Sequence, residues 1–465
     1  MSRLLISAAH KSSGKTSISV GICAALKQKQ LSISPFKKGP DYIDPMWLSM
    51  ASGQPCYNLD FFMMSHDEIR ETFEQHHSNS DISLIEGNKG LYDGLDVEGS
   101  NSNAALAKLL HAPVVLVIDA RGMTRGIAPL ILGYQDFDKD INIAGVILNQ
   151  LGGSRHESKL RTVIEHYTDV PVLGAVHHDP ELTVEERHLG LIPSNESDTS
   201  SRQIKRLAHA VNTQVDVERL LQIASQAEYK GTSQTVSPRN DAHISTQQAV
   251  RIAIAKDDAF GFYYPGDMEM FKRCGAELIP FNTLKDAALP TNIDGLFIGG
   301  GFPEMKIAEL AANSSLMSDI STKIKNGLPT YAECGGLMYL TREIEWQEKH
   351  YPCAGVIPAD TVMHKKPQGR GYVILEETDK IDWPADHQND DEHNIYAHEF
   401  HYSALTNLDE GIEYAYRVKR GTGIDGKNDG LLIHNLMACY THQRALQTNN
   451  WVKRFIDFVR LIKNA

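Results

Sequence analysis

At 465 residues the chain has room for about two or three domains, each with its own core. Its apolar content of 42% and charged content of 23% are those of a soluble globular protein; the formal net charge of −13 argues against general nucleic-acid binding but leaves room for an anionic ligand held by a local cluster. No apolar run reaches membrane-spanning length, Met1–Ser7 is too weakly apolar for a signal peptide, and six scattered cysteines without a C-x-x-C pair indicate reduced thiols in cytoplasm.

Leu4–Ala9 reads as a buried strand, and Ser17–Leu26 has helical periodicity. Between them stands His10-Lys11-Ser12-Ser13-Gly14-Lys15-Thr16. Strand, small-residue loop, Gly-Lys-Thr and helix form the phosphate-binding loop arrangement, although Ala9 replaces its usual first glycine. The backbone around Ser13 and Gly14 would cradle phosphates, Lys15 would neutralise their charge, and the Thr16 hydroxyl would ligate Mg²⁺. A second strand, Leu31–Phe36, leads into Lys37-Lys38-Gly39-Pro40-Asp41-Tyr42-Ile43-Asp44-Pro45. Read alone this is a solvated charged turn; beside a phosphate loop, its two lysines and two aspartates three apart suit phosphate and Mg²⁺. A third strand, Ile82–Ile85, ends in Glu86-Gly87-Asn88-Lys89-Gly90-Leu91-Tyr92-Asp93-Gly94, which places a carboxylate where a doubly wound sheet holds a metal ligand. Pro113–Asp119, Ile143–Asn149 and Val172–Val176 are continuous apolar runs, the pattern of parallel strands covered on both faces. For Glu185–Gly190 the expectation is a charged helix start.

The polar, Gly/Ser/Pro-containing stretch 226–248 reads as a linker between a domain at 1–225 and another at 249–465. The second domain opens with a strand at Val250–Ala255, and Leu296–Ile298 ends in Gly299-Gly300-Gly301-Phe302-Pro303-Glu304. Glycines at a strand end offer N–H donors at close range, the material of an oxyanion hole. Thr330–Leu340 then reads as a nucleophile elbow: a short strand ends in Cys334, and Gly335-Gly336 open a helix whose N-terminus favours a thiolate. A cysteine nucleophile needs a base, and His398/His401 compete with His442; spacing along the chain does not decide between them.

Taken together, these stretches resemble the cobyrinic acid a,c-diamide synthase family of ATP-dependent glutamine amidotransferases. The likeness is carried by the loop ending at Thr16, by Phe36–Pro45, and by Glu86-Gly87 with Gly90–Gly94. It continues through Arg187–Leu191, Phe262–Pro265, Gly299–Glu304, Ala332–Leu340 and His398–Ser403. It implies an α/β fold with a dethiobiotin-synthetase-like P-loop domain followed by a class I glutamine amidotransferase domain. The resemblance assigns ATP to Ser13, Gly14, Lys15, Thr16 and Lys37, Mg²⁺ to Thr16, Asp41 and Glu86, and the tetrapyrrole carboxylate to Asp44 and Asp93. It makes Cys334 and His442 catalytic, with Gly300, Gly301 and Gly335 as the oxyanion hole, and it makes His398–His401 a structural or interface signature.

The implied reaction is amidation of tetrapyrrole acetates by glutamine nitrogen through an acyl phosphate, in a homodimer. Asn88-Lys89, where the family commonly has Val-Met, and Gln443-Arg444-Ala445 after His442 are departures that bear on the choice of tetrapyrrole. Siroheme and nickel-sirohydrochlorin amidation are therefore alternatives. A partitioning or maturation ATPase is the alternative from another class, and it gives Cys334 no role.

Overall fold

The two long apolar runs become neighbouring strands, Val114–Asp119 and Ile143–Leu151, within a seven-stranded sheet. The structure is a computed structural model that describes residues 2–78, 80–182, 186–187, 190–191, 193, 199–227, 248–384 and 394–465. Its chain divides into two compact units, Met1–Pro238 and Arg239–Ala465. Most of the expected linker, 228–247, lies outside the described residues, as do residues 188 and 189 of the Arg187–Leu191 stretch.

In the first unit the strand order is Tyr57–Leu59, Ile33–Lys38, Ile82–Glu86, Arg3–Ala8, Val114–Asp119, Ile143–Leu151, Val172–His177, and every pair is parallel. Parallel pairing follows from the helical crossovers between successive strands, and burial on both faces explains the unbroken apolar runs. The order reverses about Arg3–Ala8, so its loop and the one after Ile82–Glu86 leave the sheet at a switch point, where crevices form beyond strand C-termini. The expected Leu31–Phe36 strand is shifted to Ile33–Lys38, because Lys37 and Lys38 continue the pairing with Asn58 and Leu59. Where a charged helix start is expected, Glu186–Arg187 and Gly190–Leu191 instead pair as a two-stranded antiparallel ribbon.

The second unit is built on a nine-stranded mixed sheet. Its parallel part runs Ala276–Phe281, Val250–Ala255, Gly295–Ile298, Thr330–Glu333, Leu436–Cys439. It continues antiparallel through Asn428–Ile433, Glu413–Arg420, Gly369–Glu377 and Asn394–His401. Helices Pro265–Arg273 and Trp451–Lys463 contribute Phe271, Trp451 and Phe455 to one core; Ser314–Lys325 and Gly335–Leu340 contribute Ile320, Ile324 and Leu337 to the other. The register Glu333↔Cys439 sets the end of one central strand beside the end of the next.

Trp451 is fully buried, with its ring 4.5 Å from Tyr331 and 5.4 Å from Phe297. Trp451→Ala is expected to destabilise the second unit by about 3–5 kcal/mol. The check is a lowered midpoint for that unit's denaturant transition, with nucleotide binding to the full chain retained.

Candidate functional sites

In the first unit the loop after Arg3–Ala8 takes its left-handed turns at Ser12 (φ 64°) and Gly14 (φ 87°), not at Ala9. This accounts for alanine at the usual glycine position: the conformational demand has moved along the loop. Gly14 is required on a second ground, because a Cβ there would lie 2.1 Å from Asn149 Nδ2, which donates to the Ser13 carbonyl at 3.0 Å. Ser13 Oγ donates to the His10 carbonyl at 2.7 Å. The Tyr134 hydroxyl donates to the Ala9 carbonyl, and Tyr92 donates to the Tyr134 carbonyl at 2.6 Å.

Lys37 and Glu86 are register partners on adjacent parallel strands, so their side chains share a face and meet, Nζ to Oε1, at 2.9 Å. Lys37 also bonds Asp44 and lies 3.8 Å from Asp41. The Thr16 hydroxyl donates to Glu86 at 2.8 Å and to Asp44 at 3.4 Å. Burial works against the Lys37 ammonium, but Asp44, Glu86 and Asp41 outweigh it and hold its pKa well above the ordinary lysine value. Lys15 goes the other way: burial and then the Lys37 charge lower it to about 8, against the pull of Glu86, Asp44 and Asp93.

Thr16, Lys37, Asp41, Asp44 and Glu86 are thus brought together, with Asp44 beside Thr16 and Lys37. Asp93 is exposed and accepts the Gly90 N–H at 2.8 Å. Asp41 spends one oxygen on the N–H groups of Ile43 (2.9 Å) and Asp44 (3.2 Å). Asn88 accepts from the buried Lys38 at 3.0 Å, so this departure from the family pattern has a partner inside the loop cluster.

Among the described residues no three His, Cys, Asp or Glu side chains form a complete metal-ligand group. The oxygens of Thr16, Asp41 and Glu86 nonetheless suit a hard cation that takes its other ligands from phosphate and water. Glu86 Oε2 is buried and without a hydrogen-bond partner, which leaves one carboxylate oxygen for such an ion.

In the second unit Cys334 has φ 46° and ψ −99°, the strained turn expected of an elbow, between Thr330–Glu333 and the six-residue helix Gly335–Leu340. Its N–H donates to the Cys439 carbonyl at 2.7 Å, which brings the segment leading to His442 alongside. Cys334 and Glu333 both hydrogen-bond the His442 ring. Burial would lower the pKa of this imidazole, but those two partners push it up to about 10. A Cβ on Gly300 would meet His442 Cε1 at 2.7 Å, and one on Gly335 would meet the Gly301 carbonyl oxygen at 3.0 Å, so the three glycines line the same place.

The two histidine stretches between which spacing does not decide meet here. His398 and His442 stack with centroids 5.0 Å apart, and each donates its N–H to the other's carbonyl, at 3.2 and 2.7 Å. The His442 ring is the one bonded to Cys334; His398 faces the Tyr264 hydroxyl at 3.3 Å. His398–His401 is an internal feature: Glu399 accepts the N–H groups of Thr422 (2.7 Å) and Gly423 (2.8 Å), and His401 stacks on Tyr440. Sequence reasoning passed over Glu333, whose Oε2 lies 3.3 Å from His442 Nδ1, and Asn149 under the phosphate loop. A carboxylate immediately before a nucleophile, and an amide ending an apolar run, were the available signals.

Both halves of the chain match known protein families. Residues 5–192 match the CobQ/CobB/MinD/ParA nucleotide binding domain, and residues 251–450 match the CobB/CobQ-like glutamine amidotransferase domain. The cobyrinate a,c-diamide synthase of Magnetococcus marinus is 42% identical over 98% of this chain and 97% of its own length. That of Methanosarcina acetivorans is 39% identical over 95% and 92%, and that of Caldanaerobacter subterraneus is 37% identical over 97% of both. With a nucleotide-binding fold, an amidotransferase fold and relatives along nearly its whole length, the chain belongs to the cobyrinate a,c-diamide synthase family and is a ligase that takes its amide nitrogen from glutamine.

Proposed function

We propose that this chain amidates the a and c acetate carboxylates of cobyrinate, using ATP and glutamine. The observation that carries the reading is that relatives bearing that name align over 98% of the chain, across both the Lys15–Lys37–Glu86 cluster and the Cys334–His442 pair. A carboxylate resists ammonia because it is anionic and lacks a leaving group. In the first unit a substrate carboxylate oxygen attacks the γ-phosphorus of ATP, the bridging P–O bond to the β-phosphate breaks, and ADP leaves an acyl phosphate. Ammonia then adds to the acyl carbon and phosphate departs.

Lys15, Lys37 and the N–H groups around Ser13 and Gly14 stabilise the phosphoryl oxygens, and Asp44 and Asp93 position the substrate carboxylate and the intermediate. Thr16, Asp41 and Glu86 would hold Mg²⁺, which neutralises phosphoryl charge when bound. In the second unit the Cys334 sulfur attacks the δ-carbon of glutamine, with Gly300, Gly301 and Gly335 at the developing oxyanion. The C–N bond breaks as His442 protonates the departing ammonia, and water hydrolyses the thioester to glutamate. The protein works as a cytoplasmic homodimer. A partitioning ATPase would leave Cys334 and His442 without work.

The test incubates the full chain with Mg²⁺, ATP, glutamine and, in separate arms, cobyrinate, siroheme and nickel-sirohydrochlorin. The expected result is ADP formation with two successive amidations of cobyrinate, seen as the mass decrease of each carboxyl-to-amide conversion. Cys334→Ser is expected to abolish turnover with glutamine while ammonium chloride supports it. Turnover of siroheme alone moves the substrate, and no ADP formation in any arm overturns the reading.

The low Lys15 pKa adds a second outcome. A bound triphosphate raises it from about 8 toward the ordinary 10.5, so nucleotide binding takes up a proton between those values. ATP affinity is therefore expected to fall as pH climbs through that window. Calorimetry in two buffers of different ionisation enthalpy reads the proton uptake directly.

A further inference from the structure

An imidazole that serves a thiol through one ring nitrogen has to carry its other proton on the far nitrogen. Once it accepts the thiol proton, it becomes a buried cation. Both requirements are met by an acceptor with negative charge at the far nitrogen, as in triads of unrelated folds.

In this chain Glu333 Oε2 lies 3.3 Å from His442 Nδ1, which leaves Nε2 for the sulfur of Cys334. Both side chains of the ion pair are almost fully buried. The other oxygen, Oε1, is fixed by two donors, the Tyr331 hydroxyl at 2.9 Å and the Gln443 N–H at 3.1 Å. Gln443 follows His442 directly, so the backbone carrying the imidazole is tied to the carboxylate that faces it. Both donors require an acceptor, and neither satisfies the oxygen aimed at the ring. The φ of 46° at Cys334 turns the chain so that two consecutive residues, Glu333 and Cys334, address the same ring.

His398, stacked on His442, is held neutral by burial and by the positive neighbours His442 and Arg444. Arg444 lies over the Tyr264 ring at 4.9 Å. Around Glu333 stand Tyr331, Tyr263, Cys439 and Asp267, all of which burial holds toward their neutral forms.

We propose that Glu333 is the positioning carboxylate of the amidotransferase site, fixing His442 with its proton on Nδ1 and balancing the imidazolium formed when Cys334 is activated. This rests on the reading of Cys334 and His442 as the glutamine-cleaving pair.

The experiment compares wild-type protein with Glu333→Gln, Glu333→Asp and Cys334→Ser. Glutaminase kinetics, the pH dependence of Cys334 alkylation by iodoacetamide, and ¹⁵N-histidine spectra are recorded for each. In Glu333→Gln the carboxamide N–H₂ can face Nδ1 and select the wrong tautomer, so kcat for glutamine is expected to fall about 10²–10⁴-fold with KM within about threefold. The alkylation profile should move to higher pH, and Glu333→Asp should recover part of kcat. The wild-type spectrum should show His442 protonated at Nδ1.

A wild-type His442 that is neutral with its proton on Nε2 overturns the assignment, and this reading does not depend on any variant folding. So does a Glu333→Gln protein with kcat within threefold of wild type and an unmoved alkylation profile, while Cys334→Ser is inactive. If Cys334→Ser itself still cleaves glutamine, the underlying reading of the pair fails instead.

Discussion

Lys37 is an ammonium with almost no access to water, and such a group persists only where carboxylates meet it at hydrogen-bond distance. Parallel pairing brings Glu86 to it as a register neighbour, and the loop after Ile33–Lys38 returns Asp44 and Asp41 to the same place. The same constraint shapes the other unit, where the buried His442 is answered by Glu333 from the adjoining central strand. In both units the charged groups stand at the C-terminal ends of parallel strands, the one place where a sheet covered on both faces can expose chemistry. The apolar runs fix the sheets, and the sheets decide which ions can be neighbours.

Burial also makes these clusters directional. Removing one partner leaves the other charge without solvent, and breaking a buried pair in this way typically costs about 3–5 kcal/mol. At the first site the mutual pull of Lys37 and three carboxylates holds Thr16 close to Glu86. At the second, His398 is kept neutral beside His442, so only one ring of the stacked pair carries charge. Fixed, water-poor arrangements of this kind favour charge that develops during a reaction over charge that merely binds.

Much of the first unit was legible along the chain because its information is local. A strand, a Gly-Lys-Thr turn and a helix are contiguous, so Lys15 and Thr16 could be placed from their neighbours, even with Ala9 at an unusual position. The elbow at Cys334 was legible for the same reason. Glu333 was not: its contact with His442 spans 109 residues and exists only because of the register between Thr330–Glu333 and Leu436–Cys439. Asn149 is hidden likewise, since its partner Ser13 lies 136 residues away. The antiparallel half of the second sheet is harder to read, because its strands mix charged or polar with apolar residues, and one of them, Glu413–Arg420, is half-exposed. The pairing of Glu186–Arg187 with Gly190–Leu191 is not legible along the chain, because two-residue strands carry no periodicity to read.

The hydroxyl of Tyr134 grips the Ala9 carbonyl at the entrance of the phosphate loop, and Tyr92, one residue from Asp93, grips the Tyr134 carbonyl in turn. This makes a two-link tether from the Glu86–Gly94 loop, through the helix Ile127–Phe137, to the loop that holds Gly14. The two loops are thereby fastened to one helix by a pair of tyrosine hydroxyls, and neither can move away from it without giving up one of those bonds.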